Sequence, residues 1–444
     1  MKTLFPVLFL YALSAHATLN VNTVRGKEII RIQHSGKSSA EICVIPNHFP
    51  AVKYSDKDEQ NEKELCEMDV HAPKGDAACA KGRSTNPAIE IFEVPEGQTK
   101  ASVEAKWCAN ESKIAKYKMS TSCSYTPAIL AYYHLSRVLG GAADVPVSVL
   151  RTMDKGFHLG IAKDGYARTA GRGLIHETWG SVVSNLQKPL NRLNELYLTD
   201  NQSQTYGALS KNPKNEGFYS EFFNKGLDRA AQFRDHNLYY QSLNNPQPLN
   251  TFVGTNISAA NLQKVVALKD MSEMIILDHI MSQADRFGNT NYIEYYYYPK
   301  QGANGEMKWA KTKVHKAPPE IANNPNAMKI KDLLLKDNDC GGAKKTNIAK
   351  KAGLINGIRH MNKQTYHRLL WLQSILNRPE TKKFLFEDIL FTPADFTMFE
   401  TNLKEVVTLL QSRCRAGQLQ LDLDPQMHFF GKYQPSKDQC EWTQ

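Results

Sequence analysis

Leu277-Asp278-His279-Ile280-Met281-Ser282-Gln283-Ala284-Asp285-Arg286-Phe287-Gly288-Asn289-Thr290-Asn291 joins the end of an apolar helix to the start of a strand. Upstream, Leu262, Val265, Val266, Leu268, Met271, Ile275 and Ile276 recur at helical spacing, which predicts one long helix from Ser258 to about Ser282. Downstream, Asn291 to Tyr298 is aromatic and β-branched and predicts a strand. An acid, a cation, a glycine and several amides therefore share one short loop. Such a loop is either a capped turn satisfying its own backbone or a place where a carboxylate and an amide oxygen face a reacting group.

A second stretch carries the same choice. Met328 to Leu335 predicts an apolar strand that delivers Asp337-Asn338-Asp339 at its end, followed by Cys340-Gly341-Gly342. Phosphoryl transfer needs a carboxylate to orient the acceptor hydroxyl and oxygen ligands for the metal on the nucleotide phosphates. Asp285 answers the first need. Asp337, with Asn291 or Asn289, answers the second.

The first half of the chain supplies strands. Glu28 to Ile32 and Ala40 to Ile45 are short and apolar, and Ser55 to Glu64 is a charged loop or exposed helix. Ala88 to Val94 alternates up to the turn residues Pro95-Glu96-Gly97-Gln98. Ala101 to Trp107 alternates again, and Ile114 to Met119 follows, which predicts a three-stranded antiparallel meander. Pro127 opens a helix that Gly140-Gly141 closes, and Val145 to Leu150 returns as a strand. Residues 200–256 are rich in Asn, Gln and Ser and read as an insertion around one helix, Ser220 to Phe233. Thr392-Pro393-Ala394-Asp395 is a helix start, with Gly417 at the far end.

Taken together, the pieces resemble the atypical kinases that include the secretory-pathway Golgi casein kinase family, HipA-type kinases and type II phosphatidylinositol 4-kinases. The resemblance rests on Asp278 with Asp285-Arg286 and the following Asn, and on the acid in Leu335-Lys336-Asp337-Asn338. Tyr133 to Gly140, Val145-Pro146-Val147 and Arg151 also contribute. It implies an α+β, two-lobed protein-kinase-like fold, with a β-rich N-lobe over 87–160 and a mainly helical C-lobe over 161–444. Residues 18–86 form an N-terminal extension without a counterpart. It further implies ATP as donor, Mg²⁺ or Mn²⁺ as metal, and a protein, sugar or lipid hydroxyl as acceptor. Asp285 becomes the catalytic base, and Asp337 the metal-binding acid. Asn291 is preferred to Asn289 as second ligand because it directly precedes the strand. The phosphate-contacting lysine belongs on the third N-lobe strand, Lys118 before Lys116; alternation puts both on one face and does not separate them. Gly97 is all that remains of a glycine-rich loop. Ile129 stands where the N-lobe helix should offer an acid to the lysine, so Glu104 or Glu111 would substitute. These departures leave two other outcomes open, transfer of AMP or another group, and an exported pseudokinase that binds without catalysis.

Residues 1–17 carry a basic start, a short apolar run and Ala15-His16-Ala17, the pattern of a secretory leader cleaved after Ala17. The mature chain is then basic, with 54 Lys and Arg against 45 Asp and Glu. The excess is spread along the chain and points to no nucleic-acid module. Eight cysteines without a C-x-x-C pair predict structural disulfides rather than zinc. The expected pairing is local: one bond among Cys43, Cys66 and Cys79, one of Cys108 with Cys123, and one or two among Cys340, Cys414 and Cys440.

Overall fold

The computed structural model describes residues 19–34, 40–187, 198–224, 228–288, 290–431 and 440–441, so the expected leader lies outside them. Seven strands form one antiparallel sheet: β1 (Glu28–Ile32), β2 (Glu41–Ile45), β3 (Ala77–Ala80), β4 (Ile89–Phe92), β5 (Lys113–Met119), β6 (Ser148–Asp154) and β7 (Gln204–Lys211). Their order across the sheet is β1-β2-β6-β7-β5-β4-β3. The sheet passes straight through the boundary expected at residue 86, because β1, β2 and β3 belong to it. A second sheet takes β8 (Glu216–Phe218), β9 (Asn291–Gln301), β10 (Met307–Lys313) and β11 (Met328–Leu334), with β9 pairing the other three.

The helices of this half are α1 (Asp56–Glu67), α2 (Lys100–Ala105), α3 (Thr126–Val138), α4 (Lys155–Arg168) and α5 (Leu174–Gln187). After them come α6 (Arg229–His236), α7 (Leu238–Leu243), α8 (Leu249–Phe252) and α9 (Ala259–Ile280). The architecture is α+β, with helices dominating after residue 220.

Three expectations about elements are corrected. Ala101 to Trp107 is the helix α2, not a strand. Thr99 caps it, its hydroxyl accepting from Ser102 N–H while Ser102 Oγ accepts from Thr99 N–H, and Cys108 closes onto Cys79 just behind it. The capping box and the crosslink outweigh a short alternation in which only Val103 is buried. The meander is real, but its strands are β3, β4 and β5. Residues 200–256 are not simply an insertion, since β7 lies between β5 and β6 at the centre of the sheet. Its polar composition hid it, and Gly207 marks the tight place: a Cβ there would stand 2.2 Å from the Lys118 carbonyl oxygen. The helix expected over Ser220 to Phe233 begins instead as a 3-10 turn, Ser220–Phe222, and α6 starts only at Arg229.

The disulfides are Cys43–Cys66, Cys79–Cys108, Cys123–Cys340 and Cys414–Cys440. The first and last agree with local pairing, while Cys108 takes Cys79 and Cys123 reaches across 217 residues to Cys340. Four such bonds fit an oxidising compartment. No helix among the described residues is long and apolar enough to cross a membrane.

Candidate active site

The helix α9 is buried from Leu262 to Ile280 against β11, α3 and the C-terminal helices. That burial positions its last turn. Asp278, 1% exposed, receives Arg286 in a two-pronged ion pair, Nε to Oδ2 and Nη2 to Oδ1, both at 2.8 Å. The Tyr132 hydroxyl of α3 donates to the same carboxylate at 2.7 Å. Arg286 then donates to the Lys336 carbonyl at 2.7 Å and to Asn338 Oδ1 at 2.6 Å. Burial works against its charge, but Asp278 pushes the guanidinium above its ordinary range. One buried arginine thus ties the loop after α9 to the turn after β11.

On that turn two carboxylates meet two lysines. Asp337 adopts a left-handed backbone, φ 56°, which directs the following 3-10 turn Asn338–Cys340 back under α3. Lys116 Nζ donates to Asp337 Oδ1 at 2.8 Å. Lys118 Nζ lies 2.7 Å from Asp339 Oδ2 and 3.7 Å from Asp337 Oδ1. Lys118 is 3% exposed and Asp339 2%. Burial pushes the Asp339 carboxyl up, and the ammonium groups of Lys118 and Lys116 together overcome it, holding the group at about 2. Burial is likewise overcome at Asp337, which Lys116, Lys118 and Lys81 hold well below the usual carboxylate range. Ser124 donates to Asp339 as well.

The two lysines do share one face of β5, as alternation requires, and divide the two acids between them. Neither expected substitute acid reaches them. Glu104 accepts from the Ala78 amide and Glu111 from Gln98. The acid that meets Lys118 is Asp339, which the spacing after Asp337 did not single out.

Gly97 is not brought to this cluster. Residue Ile89 pairs with Tyr117, and Phe92 with Lys113, so Gly97 follows the end of β4 remote from Lys118. The residue missed at the near end is Lys81, immediately after β3. Burial and the charges of Lys116 and Lys118 pull its ammonium down to about 7. The loop it opens, 81–88, reaches the acidic turn through Asn86, whose amide contacts Cys340 Sγ at 3.7 Å. A lone lysine in a polar loop carries no spacing signal of its own.

Asn289 lies outside the described residues. Asn291 opens β9 opposite Leu334, the last residue of β11, three positions ahead of Asp337. It is buried, and its Oδ1 finds no hydrogen-bond partner among the described residues. A buried acceptor oxygen of this kind is costly unless a donor or a cation meets it. Asp285 stands on the same loop, half-exposed, with Arg229 Nη2 at 2.8 Å.

Lys116, Lys118, Asp337 and Asp339 line one cleft with Ile129 of α3 and Lys211-Asn212 at the end of β7. It holds only about 40 Å³, room for a water molecule or so rather than for a nucleotide. A second cavity, about 1600 Å³ and rich in hydroxyls, lies on the far side of the Cys123–Cys340 bond between Ser120–Tyr125 segments and Thr392–Asp395. No protein-family model matches the sequence, and no curated protein matches it either. The site is therefore read on its own geometry.

Proposed function

We propose that this chain is a kinase-like phosphotransferase that moves phosphate from ATP to a hydroxyl acceptor, a protein serine or threonine first, with Mg²⁺ or Mn²⁺. The observation that carries the reading is the meeting of Lys116 and Lys118 with Asp337 and Asp339 in one cleft. The order of lysine strand β5, helix α3 and strand β6 supports a kinase-like N-lobe, and α9 with its Asp285 loop supports the C-lobe.

Without ligand the four charges neutralise one another. A nucleotide carrying its metal brings the complementary set, so Lys116 and Lys118 exchange carboxylates for phosphate oxygens. Asp337 and Asn291, backed by Asp339, are the residues that would hold the metal. A metal held there would supply the positive charge that offsets the phosphates. Asp285 orients the acceptor hydroxyl and takes its proton as the acceptor oxygen bonds to phosphorus and the donor's bridging oxygen leaves. Arg229 must first release it; the pair is exposed, and such pairs are worth at most about 1 kcal/mol.

A second reading, nucleotide binding without transfer, is favoured by Ile129 in α3 and by the occupied Asp285 carboxylate. One series separates them. At about a hundred times its dissociation constant, ATP with Mn²⁺ or Mg²⁺ is expected to add roughly 2.7 kcal/mol to the native state, read as a higher melting temperature. The shift should vanish in Asp337→Ala. Transfer to a hydroxyl substrate that is abolished in Asp285→Asn identifies the enzyme, and binding without transfer identifies the pseudokinase. Absence of any nucleotide-dependent shift would sink both.

A further inference from the structure

At the opposite edge of the large sheet, three residues far apart in sequence converge. His34 follows β1, Glu41 opens β2, and His71 follows α1. Their nearest ligand atoms all lie within 4.8 Å of one another. His71 Nε2 is 2.7 Å from Glu41 Oε1, and His34 Nε2 is 3.3 Å from Glu41 Oε2. The two imidazole rings face each other with centroids 3.9 Å apart. The Cys43–Cys66 bond ties β2 to the end of α1 and so holds the three donors together whether or not anything is bound.

One nitrogen of this group is left without a hydrogen bond. His34 has a carboxylate on each side, Glu41 at 3.3 Å from Nε2 and Asp69 at 3.8 Å from Nδ1. The buried Nε2 nevertheless makes no hydrogen bond among the described residues. Arg151 does not resolve this. It approaches Glu41 Oε2 at 3.4 Å while its other contacts go to the Cys66 and Met68 carbonyls.

We propose that His34, Glu41 and His71 bind one divalent transition-metal ion of zinc's class. Two imidazoles and one carboxylate are a zinc donor set, and tetrahedral bonds of about 2.0–2.2 Å would place the ligand atoms roughly 3.3 Å apart, the distance already present between His34 and Glu41. Asp69 stands behind His34. It is fixed by the His71 and Ala72 amides at 2.8 and 3.0 Å, and its Oδ1, 3.8 Å from Nδ1, is placed to accept Nδ1–H once the ring turns onto the metal. The site is independent of the nucleotide cleft, whose donors are all oxygen and suit harder ions.

The test uses the full mature chain, stripped with a chelator and titrated with Co²⁺ and then Zn²⁺. One equivalent of Co²⁺ is expected to bind and give the visible absorption of a low-coordinate nitrogen–oxygen site, and Zn²⁺ should bleach it. His34→Gln with His71→Gln should abolish the signal, Asp69→Asn should weaken binding by about tenfold or more, and Asp337→Asn should leave it unchanged. Wild-type protein that takes up no Co²⁺ with such a spectrum overturns the proposal without reference to any variant. So does one-equivalent binding that survives loss of both histidines, or that disappears with Asp337.

Discussion

Asp339 and Lys118 sit 2.7 Å apart with both side chains buried, and their energetics are asymmetric. Keeping both is close to neutral, whereas removing one strands the other's charge in the interior at a cost of about 3–5 kcal/mol. Acid acts like such a removal. Asp339 is held at about 2 in the folded chain against about 3.9 in an unfolded one. Its contribution is therefore complete above pH 4 and is lost as pH falls toward 2. Stability by urea titration should fall by roughly 2–3 kcal/mol over that interval, and Asp339→Asn, less stable at pH 7, should show a flatter profile there. At this scale the sequence was legible wherever residues act through neighbours in the chain. Asp278 ends α9 and Asp285 and Arg286 follow on the next loop, and Lys116 and Lys118 share one strand. Lys81, Asp339 as the lysine's partner, and the trio of His34, Glu41 and His71 were not legible, because only the folded sheet sets them side by side.

The same contrast appears among elements. The long helix α9, the helix Pro393–Arg415 with its Thr392 capping box, and most strands follow from periodicity and end signals. Strand β7 escaped because its neighbours on both sides supply the burial that its own composition does not advertise. Asp422, an acid that alternates with leucines, is buried against His360 at 2.9 Å, a partner 62 residues away that its own composition does not signal. The bond Cys123–Cys340 is the most consequential long-range tie, joining the entry to α3 with the turn that carries Asp337 and Asp339. For 217 residues of separation, the chain-entropy account assigns about 5 kcal/mol. Replacing both cysteines with alanine should lower the urea midpoint more than removing Cys414 and Cys440, which close only 26 residues. It should also weaken ATP binding, because Ser124 and Asn86 hold the acidic turn from either side of the bond. Equal effects of the two double variants on stability would refute the entropic ranking, and unchanged ATP affinity would detach the bond from the site.

Across the whole molecule, residues 19–80 are bound into the sheet rather than appended to it. Three of the seven strands come from them, and β2 pairs with β6 at the sheet's interior. Polar contacts cross the same boundary. Arg137 of α3 donates to Asp58 at 2.7 and 3.2 Å, and the Tyr133 hydroxyl to Glu62 at 2.6 Å. Arg151 of β6 faces Glu41 and the α1 carbonyls. Each is buried or nearly so, and deleting one side leaves a charge or hydroxyl without its partner. An extension that merely decorated the surface could be removed with little effect. Here its loss would expose the edges of β6 and β4 and leave Tyr133 and Arg137 of α3 without their partners, a penalty set against the roughly 5–15 kcal/mol that holds a typical domain folded. A chain beginning at residue 87 is therefore expected to lose the near-ultraviolet circular dichroism of fixed aromatic packing and to bind an exposed-hydrophobe dye. A cooperative melt near that of the mature chain would show instead that residues 87–444 stand by themselves. In that event α3, the lysines and the acidic turn would have to be held by the Cys123–Cys340 bond and α9 alone, and nucleotide binding by the truncated chain would be the direct measure of whether they are.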